Sequence, residues 1–433
     1  MKKIKPNKNN CFVDLFAGCG GLSLGLEYAG FFPVFVNEIN NNALSSYLIN
    51  RKDHFPLLEK KEFHCNDVKE LVNKKRIQSL KLNFKKSYSI DCDKGDLALL
   101  VGGPPCQGFS GIGHRRSYSV DKEQLPSNHL YQDMAWIINQ LMPKVFLFEN
   151  VKGLITAKWN DKGSKGEIWE DVKHTFRSIP GYRIEPYLVL AKNYGVPQNR
   201  PRVLIVGVRD DIDLKPWNKN KSSFANGFLP EGFDNSPDLI DLLGDLIDTS
   251  FDNGGSTMSY PIKALNEFQK WFRTRQDGSV SQKGSKITEH EYSKHSMQVR
   301  DKFTYMLSNQ GKIHLNHKTK KFSQRLLPLR WGPKGPNITA TSLPDDYVHF
   351  SQPRILTVRE WARLQGFPDW YQFCGSRTTG GLRRAGNPRE GLFDRELPRY
   401  TQIGKLLLPS YAMRKAQVYY KHSRQLTGTS NEV

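Results

Sequence analysis

Four short stretches of this chain hold residue types that can do chemistry. The first is Asp14-Leu15-Phe16-Ala17-Gly18-Cys19-Gly20-Gly21. Its glycines let a ligand approach bare backbone, and a helix starting after them offers unpaired N–H donors. Glu38 stands 20 positions after Gly18. An acidic residue there can accept hydrogen bonds from both hydroxyls of a ribose, so the two together read as a nucleoside site. A dinucleotide fingerprint requires a third glycine three positions after Gly20. That position is Ser23, which weakens a pyrophosphate reading. The second stretch is Gly102-Gly103-Pro104-Pro105-Cys106-Gln107-Gly108-Phe109-Ser110. Two prolines stiffen the approach to Cys106. A free cysteine is ordinarily a small buried hydrophobe. On a rigid turn at a strand end it can instead act as a thiolate nucleophile. The third is Val145-Phe146-Leu147-Phe148-Glu149-Asn150-Val151, an apolar run closed by a carboxyl group. Burial there favours a Glu149 that carries a proton, and a solvated strand-end carboxylate is the alternative. The fourth is Gln198-Asn199-Arg200-Pro201-Arg202. Arginines two apart on an extended segment project to one side and suit phosphate or base-carbonyl contacts. A solvated basic loop is the plainer reading.

Something must hold these stretches in place, and the pattern around them supplies it. Short apolar runs at 11–16, 33–37, 97–102, 145–148 and 202–208 read as strands. Helical spacing occupies 22–28, 41–50 and 129–141. The alternation predicts a doubly wound α/β sheet. The 97–102 run is uniformly apolar, as a buried parallel strand should be. In such sheets ligands bind at the carboxyl ends of the strands, where the first three stretches fall. After Arg209 the texture changes. Residues 211–350 are rich in Gly, Pro, Asn, Ser and Lys with weak periodicity, so a second domain or large insertion sits there. Order returns at Pro353, with a helix over 358–365 that Gly366-Phe367-Pro368 stops. Residues 375–391 are Gly- and Arg-rich and read as a loop, and no internal repeat is present.

The chain has 433 residues, 38% of them hydrophobic and 25% charged, which fits a globular protein of two or three domains. Its net charge of +21 favours a polyanionic partner, nucleic acid first and an anionic membrane surface second. No apolar run is long enough for a transmembrane helix. Met1-Lys2-Lys3-Ile4-Lys5 resembles the basic start of a signal peptide, but polar residues follow, so export is not expected. Cys11, Cys19, Cys65, Cys92, Cys106 and Cys374 form no C-x-x-C pair, which excludes a disulfide scaffold and a cysteine zinc site and suits a reducing cytoplasm.

The blocks together resemble the DNA (cytosine-5) methyltransferases. They occur in that family's order: Phe16 to Gly21, Pro104-Pro105-Cys106-Gln107, Glu149-Asn150-Val151, Gln198-x-Arg200-x-Arg202, Arg354-Ile355-Leu356-Thr357-Val358-Arg359-Glu360 with Arg363-Leu364-Gln365-Gly366-Phe367-Pro368, and Gln402-Ile403-Gly404. The resemblance spans 11–210 and 351–420. It implies a mixed sheet of the S-adenosylmethionine-dependent methyltransferase type with a smaller, irregular target-recognition domain. The corresponding division is 1–210 catalytic, 211–350 target recognition, and 351–433 returning to complete the catalytic domain.

The resemblance also implies S-adenosyl-L-methionine as cofactor. Phe16 would stack on the adenine, and Gly18 and Gly20, within the turn Ala17, Cys19 and Gly21 complete, would line the methionine part. Glu38 would hold the ribose, Asp67 and Val68 the adenine edge, and Pro104 and Leu130 the rest of the pocket. Cys106 would attack carbon 6 of cytosine, protonated Glu149 would hold ring nitrogen 3, and Arg202, supported by Arg200, the ring carbonyl. The base must flip out of the duplex to be reached. Residues 108–127 read as a mobile loop that closes over DNA. The implied partners are double-stranded DNA and a restriction endonuclease acting on the same site, with no membrane and a monomeric enzyme acting on DNA in the cytoplasm.

Thr339-Ala340-Thr341 resembles the family's threonine-containing pair. His290, His295, His314 and His317 invite a zinc reading, but no cysteine lies among them, and DNA-facing or surface histidines fit better. One departure stands out: after Gln402-Ile403-Gly404 the family has Asn, a small residue and Val, whereas this chain has Lys405-Leu406-Leu407. Reduced cofactor affinity is the expected result. The rival readings are an RNA cytosine methyltransferase, a catalytically silent DNA-binding relative and a nicotinamide oxidoreductase.

Overall fold

A computed structural model describes residues 5–105, 128–160, 162–194, 196, 198–212, 237–317, 324–330, 346–378 and 397–405. They fall into two compact units. One contains the described residues up to Tyr194 and those from Pro201 to 212. The other contains those within Gly195–Arg200 and from 237 to 405.

The first unit is built on a seven-stranded sheet. In chain order it holds β1 (Cys11–Leu15), α1 (Gly21–Tyr28), β2 (Phe32–Asn37), α2 (Asn41–Ile49), β3 (His64–Cys65), α3 (Lys74–Tyr88), β4 (Leu99–Gly102), α4 (Leu130–Leu141), β5 (Val145–Val151), α5 (Glu167–Arg177), β6 (Tyr182–Leu190) and β7 (Pro201–Arg209). The strand order is β3-β2-β1-β4-β5-β7-β6. The first five strands are parallel, and β7 runs antiparallel to both β5 and β6. The sheet is therefore mixed and doubly wound, as expected.

The reasons are local. β1, β2 and β4 are buried along their whole length, which is why their sequences do not alternate. β6 is an edge strand that pairs only with β7, tolerates Pro186 and keeps much of its surface exposed. Gly207 on β7 faces Phe146 on β5, and a Cβ there would lie 2.0 Å from the Phe146 ring. The glycine thus makes room for an aromatic ring that packs against Phe176 of α5 at 5.6 Å. One apolar core runs from Val34 and Phe35 through Leu100 to Ile137, Phe148 and Phe176.

The second unit contains α6 (Leu239–Leu243), α7 (Glu267–Arg273), α8 (Met297–Ser308), β8 (Arg325–Leu326), β9 (Tyr347–Val348), α9 (Val358–Leu364) and α10 (Arg399–Lys405). Its centre is α9, every residue of which is buried. A capping box starts that helix: the Thr357 hydroxyl accepts the Glu360 N–H, and the Glu360 carboxylate accepts the Thr357 N–H. Arg354 grips Glu360 through two nitrogens at 2.7 Å, and Arg363 reaches Asp245 at 2.5 Å and Asp369 at 2.6 Å. Arg273 meets Asp245 as well, at 2.6 Å. These ions are almost wholly buried, which is tolerable only because each is paired and hydrogen-bonded.

The described part of the 351–433 segment groups with the second unit. The physical reason is pairing. Arg363 finds its acid at Asp245, Arg359 finds Glu289 at 3.2 Å, and the Thr357 hydroxyl meets His290 at 2.8 Å.

Candidate active site

The five parallel strands end on one edge of the sheet. The chain runs outward from β1 to β3, then returns to place β4 on the other side of β1. A crevice opens where the two directions part, and there doubly wound sheets bind ligands. The turn after β1 lies at this point. Phe16 has φ of 58°, a strained value for a bulky residue, and Gly18 and Gly20 are left-handed at 58° and 87°. The strain is held from β2: Asn37 accepts the Phe16 N–H on its side chain at 3.3 Å and the Ala17 N–H on its carbonyl at 2.9 Å. Gly18 donates its N–H to Glu38 Oε2 at 2.8 Å, and the other Glu38 oxygen accepts the Asn40 N–H at 2.9 Å. Glu38 is thus aimed across the turn from the end of β2.

Beyond β3, the Asp67 side chain accepts the Lys69 N–H at 2.9 Å and caps the short helix Val68–Glu70. Val68 is buried while Asp67 is exposed. Ala17, Cys19, Gly20 and Gly21 are buried, and partly buried Leu130 opens α4. The cofactor residues expected from sequence therefore collect around the carboxyl ends of β1 to β4.

Under the glycine turn sits a buried polar cluster that sequence reading missed. The Ser23 hydroxyl donates to Asp14 at 2.5 Å and meets the Tyr47 hydroxyl at 2.8 Å. Ser23, noted only as a missing glycine, is thus a tie between β1, α1 and α2. Arg51 pairs with Glu27 at 2.6 Å, stacks 3.8 Å from the Tyr47 ring centroid and donates to the Gly20 carbonyl at 3.0 Å. Burial pushes the Asp14 carboxyl up to about 7.

The other side of the crevice belongs to β4, β5 and β7. Glu149 and Arg202 form an ion pair at 2.5 Å. Gly103 lies against this pair, and a Cβ on it would approach Glu149 Oε2 to 2.9 Å. Asn150, buried within β5, donates from its side chain to the Pro104 carbonyl at 3.2 Å and accepts the Val151 N–H at 2.8 Å. The proline turn is thereby fixed to the strand that carries Glu149. Cys106 and the 108–127 stretch lie outside the described residues, as does the Thr339-Ala340-Thr341 pair. The chain positions flanking Cys106 on its N-terminal side, Pro104 and Pro105, are described.

The sequence that builds this arrangement matches one family over most of its length. The profile of the C-5 cytosine-specific DNA methylases matches residues 11–388. The chain belongs to that family. Among relatives, the Type II methyltransferase M.DdeI of Desulfomicrobium norvegicum is 27% identical, over 97% of this chain and 91% of its own. The Type II methyltransferase M.XorII of Xanthomonas oryzae pv. oryzae is 29% identical, over 87% of this chain and 80% of its own. A crystal structure of a prophage-encoded E. coli protein, described as a DNA modification methyltransferase, superimposes with a TM-score of 0.63 at 24% identity. It covers 96% of this chain and 100% of that one, and shows the same fold.

In this DNA methylase the Gln198-x-Arg200-x-Arg202 block is divided. Arg202 faces Glu149 in the sheet unit. Gln198 and Arg200 are buried in the second unit, where they donate to the Leu364 carbonyl and the Gly404 carbonyl, each at 2.8 Å. Arg200, expected to support Arg202 at the substrate, is here a structural donor to α10. The two arginines project to the same side of an extended segment only by pattern, and the chain passes from one unit to the other between them.

The histidines also resolve. The His290 ring is wholly buried and bonded at both nitrogens, to the Thr357 hydroxyl at 2.8 Å and the Leu246 carbonyl at 3.0 Å. Burial lowers it to about 4. It is a neutral core histidine, and no cluster of metal-ligating residues exists among the described residues. None of the helices among them is long and apolar enough to cross a membrane. The chain's departure at Lys405 falls on the last residue of α10, whose backbone is described and whose side chain is not.

Proposed function

We propose that the protein methylates carbon 5 of cytosine within a short, specific sequence of double-stranded DNA, as the protective methylase of a Type II restriction–modification system. The observation that carries this reading is the pairing of Glu149 with Arg202 next to the Pro104-Pro105 turn, on the far side of the crevice from Glu38. The left-handed glycines and the oriented Glu38 fit S-adenosylmethionine: bare backbone for the amino-acid half and a carboxylate for the ribose. Phe16, Asp67, Val68, Pro104 and Leu130 would complete the pocket. When bound, the cofactor supplies an electrophilic methyl group.

The chain's own residues do the rest. Carbon 5 of cytosine is a weak nucleophile. Attack of the Cys106 thiolate on carbon 6 makes the ring enamine-like, and carbon 5 becomes nucleophilic. Glu149, carrying a proton once the base is bound, gives it to ring nitrogen 3 as the thiolate attacks, and Arg202 donates to the adjacent carbonyl, so base binding exchanges their mutual ion pair for two contacts to one ring edge. Loss of the carbon 5 proton to water, return of the nitrogen 3 proton to Glu149 and expulsion of the Cys106 sulfur as thiolate restore the enzyme. The target base reaches this site by leaving the stack, at a cost of a few kcal/mol. The Lys, Arg, Asn and Gln residues of the second unit supply phosphate and base-edge contacts, and the basic net charge raises affinity for the backbone. The enzyme works as a monomer in the cytoplasm, with a partner endonuclease reading the same site.

The deciding experiment incubates the protein with labelled S-adenosylmethionine and unmethylated DNA of mixed sequence, beside Cys106→Ser, and maps the product by bisulfite sequencing. Transfer confined to one short sequence and lost in Cys106→Ser is expected. Cofactor binding without transfer to any DNA, combined with transfer to RNA, would overturn the substrate.

A further inference from the structure

Both ends of the glycine turn are gripped by charged side chains from one short piece of chain. Glu38 precedes α2 and takes the Gly18 N–H at 2.8 Å. Arg51 follows α2 and gives a hydrogen bond to the Gly20 carbonyl at 3.0 Å. Between them α2 is a rigid spacer, capped by the Asn40 side chain on the Ala43 N–H at 3.1 Å. Arg51 itself has no freedom. One nitrogen is held by Glu27 at 2.6 Å, a second donates to the Tyr47 carbonyl at 3.0 Å, and its plane covers the Tyr47 ring. The third nitrogen reaches Gly20. All three directions of the planar guanidinium are used, a task that lysine cannot copy.

We propose that Arg51 is a positioning residue for the amino-acid half of the cofactor, with α2 linking it to ribose recognition at Glu38. The inference rests on the reading of S-adenosylmethionine as cofactor. Its logic is geometric. Gly20 is the N-cap of α1 and sits at φ 87°, so the backbone there has a wide range of conformations to lose. A fixed donor on its carbonyl selects one of them. The turn is then ordered before the ligand arrives, with the Phe16, Ala17, Gly18 and Gly20 N–H groups held inside the protein, which removes an ordering cost from binding. Glu38 acts on the same turn from the other end. A ribose that engages Glu38 therefore finds the amino-acid subsite already formed. Nothing in this arrangement touches the methyl group or the base, so Arg51 acts on affinity and not on the chemical step.

The test compares two ligands that differ only beyond the ribose. S-adenosylhomocysteine carries the amino-acid tail, and 5′-methylthioadenosine does not. Calorimetry on the full chain measures both against wild type and Arg51→Met, and steady-state assays give kcat and the cofactor KM. For Arg51→Met we expect S-adenosylhomocysteine to bind about tenfold more weakly, methylthioadenosine to change by less than roughly twofold, and kcat at saturating cofactor to hold within roughly threefold. A variant that merely folds less well would weaken both ligands together, and equal loss of both, or loss of neither, overturns the proposal. If Arg51→Met alone does not fold, the double variant Glu27→Gln with Arg51→Met removes the stranded carboxylate and allows the same comparison. Wild-type protein that binds neither ligand would overturn the cofactor reading, and this inference with it.

Discussion

Glu149 and Arg202 sit on neighbouring antiparallel strands, offset diagonally: Glu149 pairs with Leu204, while Arg202 pairs with Val151. Their charged ends meet at 2.5 Å, both side chains mostly shielded from water. Diagonal neighbours share a face of the sheet, so acid and base are presented together. Glu149→Gln keeps the shape and hydrogen-bonding capacity but cannot move a proton. We expect methyl transfer to fall by on the order of 10²–10⁴ with DNA binding retained. Gel-shift and single-turnover assays on the same preparation measure the two effects separately.

Asn150, the next residue on the same strand, performs a different task. Its side-chain amide is the donor for the buried Pro104 carbonyl. Asn150→Ala leaves that carbonyl unpaired at a cost of about 1–3 kcal/mol. Thermal unfolding should register it, and kcat should fall more than the folded fraction does, because the turn leading to Cys106 loses its anchor. A kcat unchanged in the folded protein would show that the turn needs no such tie.

Gly103→Ala tests the same wall from the opposite side. The added methyl would meet Glu149 Oε2 at 2.9 Å. Either the carboxylate moves off Arg202 or the β4 end shifts, with overpacking worth about 1–3 kcal/mol. We expect activity to drop while the cofactor KM stays near wild type, since Glu38 and its turn are untouched. A raised cofactor KM with normal kcat would mean the disturbance ran toward β1 instead.

Two buried groups give the two units opposite responses to pH. Asp14 is raised by burial from 3.8 to about 7, beside Glu27, Arg51 and Glu38. Between pH 4 and 7 the unfolded chain releases this proton and the native sheet keeps it, so Asp14's contribution to stability declines across that window and is flat above it. His290 is lowered from 6.5 to about 4, again chiefly by burial. Its contribution is complete above pH 6.5 and is lost as pH falls toward 4. Hydrogen exchange followed by mass spectrometry can read the β1–α1 peptide and the peptide around His290 separately. Asp14→Asn should flatten the first trend, and His290→Gln the second.

Lys405 stands where the family resemblance leads one to expect an asparagine, at the end of a helix whose preceding carbonyl is held by Arg200. Lys405→Asn should tighten S-adenosylhomocysteine binding. Unchanged affinity would mean that this position does not contribute to the cofactor site.

Much of this architecture was legible because its signals are short-range. Uninterrupted apolar runs gave β1, β2, β4 and β5 within a few residues, since buried parallel strands need no alternation. The glycine turn and Glu38 were readable from spacing alone. What escaped was polar or peripheral. α3 is so rich in lysine that its buried stripe, Ile77, Leu80, Phe84 and Tyr88, is hidden among charges. β6 is a half-exposed edge with an internal proline. Arg51 belongs to no motif, Ser23 stood out only as a missing glycine, and Asn150 only as a neighbour of Glu149 in its block. Their roles come from partners 9 to 46 positions away, which residue order does not reveal. Block similarity marked Arg354 to Pro368, and the structure places Arg354 and Arg363 of that block in a buried network of paired ions that residue order does not reveal.

The short insertion of Gln198 and Arg200 into the second unit has an evolutionary corollary. Both side chains dock on main-chain oxygens, at Leu364 and Gly404, and not on side chains. Fastenings of that kind, both inside the second unit, follow the path of the backbone and ignore its composition. Substitutions at Leu364 leave its fastening in place, provided the helix end stays where it is.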